Sequence, residues 1–213
     1  MMHVSKLLIT GTALIACTLS TPALAQSSCA LVSPKHSLQK CSEVGQKLLF
    51  DMRIARGYAQ PGDNDPLWQV QGSAAKVVPI NSAWNTNGGR FQWVSPTTTH
   101  TNSTVVYSAT VNIPEDPYFY DNLKLSISVG ADNSVRRVRV NGVVIFMGAK
   151  SDINDFKPGN FKFVEKYANN DGGPFKQGCN KIEIDVYNQS GPTGLTVRGA
   201  LSGKCTKCTT PKP

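Results

Sequence analysis

The sequence predicts an all-β protein, a two-sheet antiparallel jelly-roll sandwich. Three observations predict it. Apolar residues recur with period two in segment after segment, turn formers punctuate the gaps, and the composition is rich in turn residues and poor in charge. Of 213 residues, 40% are hydrophobic and 17% charged, and there are 18 glycines and 13 prolines. A helical bundle or coiled coil has a different composition.

The strands follow in order. Leu48 to Ile54, Leu67 to Val70, Lys76 to Ile80 and Arg90 to Val94 are short candidates. Val105, Tyr107, Ala109, Val111 and Ile113 then alternate with Val106, Ser108, Thr110 and Asn112. So do Leu123, Leu125, Ile127 and Val129, then Ile182, Ile184 and Val186, and finally Leu195, Val197, Gly199 and Leu201. Such alternation marks strands with one face on a common core. Val135 to Val140 and Val143 to Met147 flank Asn141-Gly142, the favoured two-residue hairpin turn. Helical signal is confined to Ser37 to Gln46. Many short strands with turn residues between them argue a sandwich.

The N-terminus reads as a bacterial-type secretory signal. Lys6 precedes an apolar run from Leu7 to Leu19, Pro22 breaks it, and Ala23-Leu24-Ala25 supplies a small-x-small cleavage site before Gln26. The run is shorter than the ~20 residues of a spanning helix. Leu14-Ile15-Ala16-Cys17 also resembles a lipobox, so Cys17 is an alternative lipidation site. The expectation is a secreted or cell-surface protein, periplasmic or extracellular, that meets a membrane only if it is an outer-membrane lipoprotein anchored through Cys17. Residues 1–25 are the signal peptide, 26–46 an extension, 47–202 the β domain and 203–213 a polar tail.

Excluding Cys17, five cysteines remain: Cys29, Cys41, Cys179, Cys205 and Cys208. In an oxidising compartment they pair where geometry allows. Cys29 and Cys41 bracket a short segment and are expected to close the N-terminal extension. Cys179 is expected to join Cys205 or Cys208, which leaves one cysteine over. Cys205-Thr206-Lys207-Cys208 spells C-x-x-C, but it has neither the βαβ context of a redox site nor the second ligand pair of a zinc site.

Three stretches share a further pattern. Asp65-Pro66-Leu67-Trp68 follows a Gly/Asp-rich loop, and Ala131-Asp132-Asn133 leads through a valine strand into Val140-Asn141-Gly142. Gly178-Cys179-Asn180 opens the run from Ile182 to Asn188, followed by Gly191-Pro192-Thr193-Gly194-Leu195. This order, over about residues 47 to 202, resembles bacterial secreted or surface β-sandwich domains of the galactose-binding-like type, similar to carbohydrate-binding modules. The resemblance implies a non-catalytic domain, since no catalytic residues carry over. Asn133, Asn141 and Asn188 are expected to hold turns with their side chains.

No nucleophile elbow, H-E-x-x-H motif or P-loop is present, and no pair of acids stands out for glycoside hydrolysis. His36 and His100 stand in separate loops without metal-ligand spacing. An enzyme is therefore not expected, nor a cofactor beyond a loop Ca²⁺ at Asp152, Asn154 and Asp155, whose oxygens suit a hard cation. The net charge is +8, with 22 basic and 14 acidic residues. Arg136, Arg137 and Arg139 form the densest basic cluster. If their strand neighbours the one carrying Glu183 and Asp185, those charges pair across the sheet. With no aromatic interleaving, nucleic acid is not an expected partner; a modest positive field suits an anionic polysaccharide or cell envelope better. Glycan is the expected ligand. Trp84, with Asn85 and Asn87 in a polar loop, and Tyr118 and Tyr120 after a Pro turn are the candidate contacts, whereas Trp68 and Trp93 are assigned to packing. The rival expectation is a structural or adhesive protein that self-associates or binds a surface-protein partner.

Overall fold

The computed structural model describes residues 36–55, 59–79, 84, 92–96, 101–114, 118–147, 165–166 and 174–207. They form an all-β, antiparallel structure, and no described residue lies in an α-helix. The first five strands are β1 (Lys47–Asp51), β2 (Asn64–Val70), β3 (Ser73–Val78), β4 (Trp93–Ser95) and β5 (Ser103–Ile113). Next come β6 (Tyr118–Asp132), β7 (Ser134–Val140) and β8 (Val143–Met147). The last three are β9 (Glu165–Lys166), β10 (Gly178–Asn188) and β11 (Gly194–Lys207).

The hydrogen-bonded path runs β8-β7-β10-β5-β2-β3-β4-β11-β6-β9, and β1 pairs with β11 off that path. Its weakest step is β4 to β11, where Leu195↔Val94 is the register pair. The path folds back on itself, since β6 also touches β10 and β7. This arrangement is compatible with a β-sandwich.

Period two explains the core. Val105, Tyr107, Ala109, Val111 and Ile113 are buried along β5, as are Leu123, Leu125, Ile127 and Val129 along β6. Ile182, Ile184 and Val186 of β10 and Leu195, Val197 and Leu201 of β11 join them in one cluster. Trp68 is fully buried there, and its indole N–H donates to the Met52 carbonyl at 3.0 Å. Asp65 fixes the entry to β2: one carboxylate oxygen accepts from the Leu67 and Trp68 amides, the other from Ala55 N–H at 2.6 Å.

The Asn141-Gly142 hairpin forms as expected, with φ of 51° and 82° at the two turn residues. Asn141 also accepts from Lys181 N–H and donates to Pro174 O and to the buried Asn180. Asn133 accepts from Gln189 N–H, and Asn188 donates to Gly191 O. Asn188 thus holds its own turn, whereas Asn133 and Asn141 tie their turns to segments far along the chain.

Several boundaries differ from expectation. The segment 37–46 is not helical: Ser37 bridges to Asn112, Leu38 N–H donates to Asn112 O, and a turn follows. Leu38 is buried in the core, so this part of the extension is integral to the domain. At the other end β11 continues to Lys207, where a polar tail was expected from residue 203.

The disulfide pairing differs too. Cys41 bonds to Cys205, not to Cys29, which also removes Cys205 as a partner for Cys179 or for a C-x-x-C bridge. The reason lies in the β1–β11 ladder. Lys47 stands opposite Lys204, Gly45 N–H donates to Cys205 O, and Cys205 N–H donates to Gln46 O. That register carries the turn before β1 against Cys205. Cys179 is disulfide-bonded as well. Cys29 and Cys208 lie outside the described residues. Disulfides point to a non-reducing environment, and no described helix is long and apolar enough to cross a membrane.

Candidate functional site

Of the predicted contacts, the structure describes the side chain of Trp84. Trp84 is 9% exposed rather than displayed on a loop. Its ring stacks on Trp93 with centroids 4.6 Å apart, and its indole N–H donates to Asp132 Oδ2 at 2.7 Å. Glycines make room for the pair. A Cβ on Gly194 would stand 2.8 Å from Trp84 and 3.2 Å from Trp93, and one on Gly130 3.3 Å from Trp93. Their strand neighbours Val129, Ala131, Leu195 and Val197 face the main core. By alternation, the two indoles therefore pack on the opposite, outer face of the β6–β11 pair. Burial overturns Trp84 as an exposed sugar platform, and it could be foreseen only by knowing that Gly194 faces it and Gly130 faces its stacking partner Trp93.

Asp132 ends β6 in this cluster and is 6% exposed. Its Oδ1 is buried without a hydrogen-bond partner. Burial pushes its carboxyl above the ordinary value, opposed by the Trp84 hydrogen bond. Thr193 donates to the Asp132 carbonyl at 2.8 Å. Burial likewise raises the nearby Tyr107 phenol far above its normal range. The cluster is packed shut and ties together β4, β6 and β11 with Trp84.

Tyr118 and Tyr120 lie in β6, in register with Lys207 and Cys205. Asn85, Asn87 and the calcium candidates Asp152, Asn154 and Asp155 lie outside the described residues, as does His100. Among the described residues, no group of three or more His, Cys, Asp or Glu is placed to hold a metal.

The arginine cluster is paired, as its spacing suggested. In register, Glu183 faces Arg139 and Asp185 faces Arg137. Asp185, 1% exposed, accepts from Arg137 Nε and from Arg139 at 2.7 Å, while Glu183 binds Arg139 at 3.1 Å and Lys181 at 2.9 Å. The Asp185 hydrogen bond raises the Arg139 guanidinium further. Arg136 lies over the Tyr187 ring, 4.5 Å from its centroid.

Sequence reasoning missed the outer face of β1, β11 and β6. Beyond the tryptophan pair, register places Ser128 with Arg198, Ser126 with Ala200, and Lys124 with Ser202. β1 adds Leu49 beside Ser202 and Lys47 directly opposite Lys204. Leu49 is 74% exposed, Lys47 and Lys204 are exposed, and Lys124 is half-buried. Among the described residues, none of these three lysines forms an ion pair. Asp51, on the same face, is held by Arg53 at 2.7 Å. No protein-family model matches the chain, and no curated protein matches it significantly.

Proposed function

We propose that this chain is an exported, non-catalytic β-sandwich of the galactose-binding-like jelly-roll type that binds glycan at the cell surface or in the extracellular matrix. One observation carries the reading: the open outer face of β1, β11 and β6 combines serine hydroxyls, uncommitted ammonium groups and the exposed Leu49. Sugars are bound by such convergent polar groups around an apolar contact. Export accords with the signal-like N-terminus and with the disulfides. A glycan array probed with the mature protein tests the proposal. Binding to a defined set of glycans is expected, and no binding to any glycan overturns it.

A second reading, assembly through protein contacts, is favoured by β8. It ends the strand path, and Val143, Val144 and Met147 on it are 53%, 43% and 66% exposed. Apolar sheet edges pair readily with other chains. Sedimentation velocity on wild type and Val144→Lys decides it: association lost in the variant supports assembly, and a monomer at all concentrations removes it.

A further inference from the structure

We infer that the outer face of β1, β11 and β6 binds an acidic polysaccharide, whose carboxylate or sulfate groups are held by Lys47, Lys124 and Lys204. The inference rests on the glycan reading and specifies its site and ligand class. Lys47 and Lys204 are a direct cross-strand pair, which sets their Cβ atoms about 5 Å apart. Lys124 is in register with Ser202, two residues before Lys204 on β11, with a register shift between them. Like charges opposite one another destabilise a sheet, and a local conflict of this kind is characteristic of a functional site. An anion shared between the two ammonium groups removes the conflict.

In register, Lys204 stands between Lys47 of β1 and Asp121 of β6. Asp51 is engaged by Arg53, and Glu43 lies in the turn before β1.

The rest of the face selects the class of polymer. Ser126, Ser128 and Ser202 supply hydroxyls that can exchange hydrogen bonds with sugar hydroxyls, and Leu49 supplies an apolar surface for a sugar ring. Nucleic-acid-binding sheets stack bases on aromatic side chains, and here Trp84 and Trp93, at one end of the same face, are buried against each other. An anionic membrane needs a larger apolar contact than Leu49 and Val44 provide.

The test uses the full mature chain and polygalacturonate, dextran sulfate and neutral dextran as probes. Anionic phospholipid vesicles and duplex DNA serve as competing surfaces. Lys47→Gln, Lys124→Gln and Lys204→Gln are combined in one variant. A second variant removes the same charge elsewhere, through Lys76→Gln, Lys176→Gln and Lys181→Gln. The wild type is expected to bind an acidic polysaccharide in a salt-sensitive manner, and neutral dextran weakly. The first variant is expected to lose about tenfold in affinity, and the second to be little changed. Equal weakening of both variants overturns the site and leaves glycan binding standing. Equal binding of neutral dextran overturns the ligand class. Tighter binding to vesicles or DNA assigns the face to a different partner and overturns the inference. Absence of binding to every polysaccharide overturns it together with the glycan reading.

Discussion

Two sheet faces carry positive charge in this molecule, and they treat it in opposite ways. On β7 and β10, Arg137 and Arg139 meet Asp185 and Glu183 across the ladder, and a carboxylate as buried as Asp185 is compatible with folding because two guanidinium groups surround it. On β1, β11 and β6, Lys47, Lys124 and Lys204 gather from distant parts of the chain, and among the described residues no ion pair engages them. The dense sequence cluster is thus the structural one, and the dispersed lysines form the available field. Charge density along a chain is a poor guide to surface potential when strand register decides which charges meet.

The largest expected effect tests whether β1 belongs to that lysine face as a fixed element. The Cys41–Cys205 bond closes a loop with a sequence separation of 164. In the chain-entropy description, removing such a bridge costs about 5 kcal/mol. Cys41→Ser with Cys205→Ser is expected to lower stability by that order in denaturant titration. A loss under about 1 kcal/mol would mean that the β1–β11 ladder alone holds Lys47 beside Lys204.

Next in size is the opposite face. Asp185→Ala leaves Arg137 and Arg139 facing an apolar side chain. Breaking a buried ion pair costs about 3–5 kcal/mol, and the partial exposure of both arginines places the expected loss near the bottom of that range, at about 3 kcal/mol. A loss below about 0.5 kcal/mol, the level of an ordinary surface change, would show that the ladder is not structural.

How much of this was legible in the sequence depended on whether a signal was local. Alternation is local, so the core residues of β5, β6, β10 and β11 could be read directly. The Arg137/Arg139 and Glu183/Asp185 pairing was legible because each strand shows two like charges two residues apart. The β2–β3 hairpin was missed: Gln71 and Gly72 take φ of 49° and 82°, and Gln-Gly lacks the Asn-Gly or Asp-Gly signature of such turns. Cys41–Cys205, the burial of Trp84 over Gly194 and the lysine face all depend on register between segments far apart in the chain. A single strand does not state which partner it will meet.

A smaller effect separates the tryptophan end of the outer face from its lysine end. The Asp132 carboxyl has its pKa raised by burial, so the folded state holds the proton more tightly than the unfolded chain does. The resulting stabilisation is fully present below the unfolded pKa and is lost as pH rises through the higher folded pKa. Asp132→Asn keeps an acceptor for the Trp84 indole and removes the titration. The stability of wild type minus that of the variant, from denaturant titrations across the acid range, is expected to fall as pH rises. A flat difference would mean that Asp132 does not titrate abnormally.

The smallest effect is the sharpest test of the comparison between the two faces. Changing Lys47, Lys124 and Lys204 together to Gln removes no ion pair among the described residues and relieves one like-charge opposition across β1 and β11. Stability is expected to stay within about 0.5 kcal/mol of wild type, with any shift upward and fading in high salt. A thermal melt at two ionic strengths measures it. A loss of about 2 kcal/mol, approaching that of Asp185→Ala, would mean that these lysines support the fold as the arginines do. Unchanged stability alongside weakened polysaccharide binding is the combination that separates a ligand surface from a structural one, because lysines retained for packing would lose stability first.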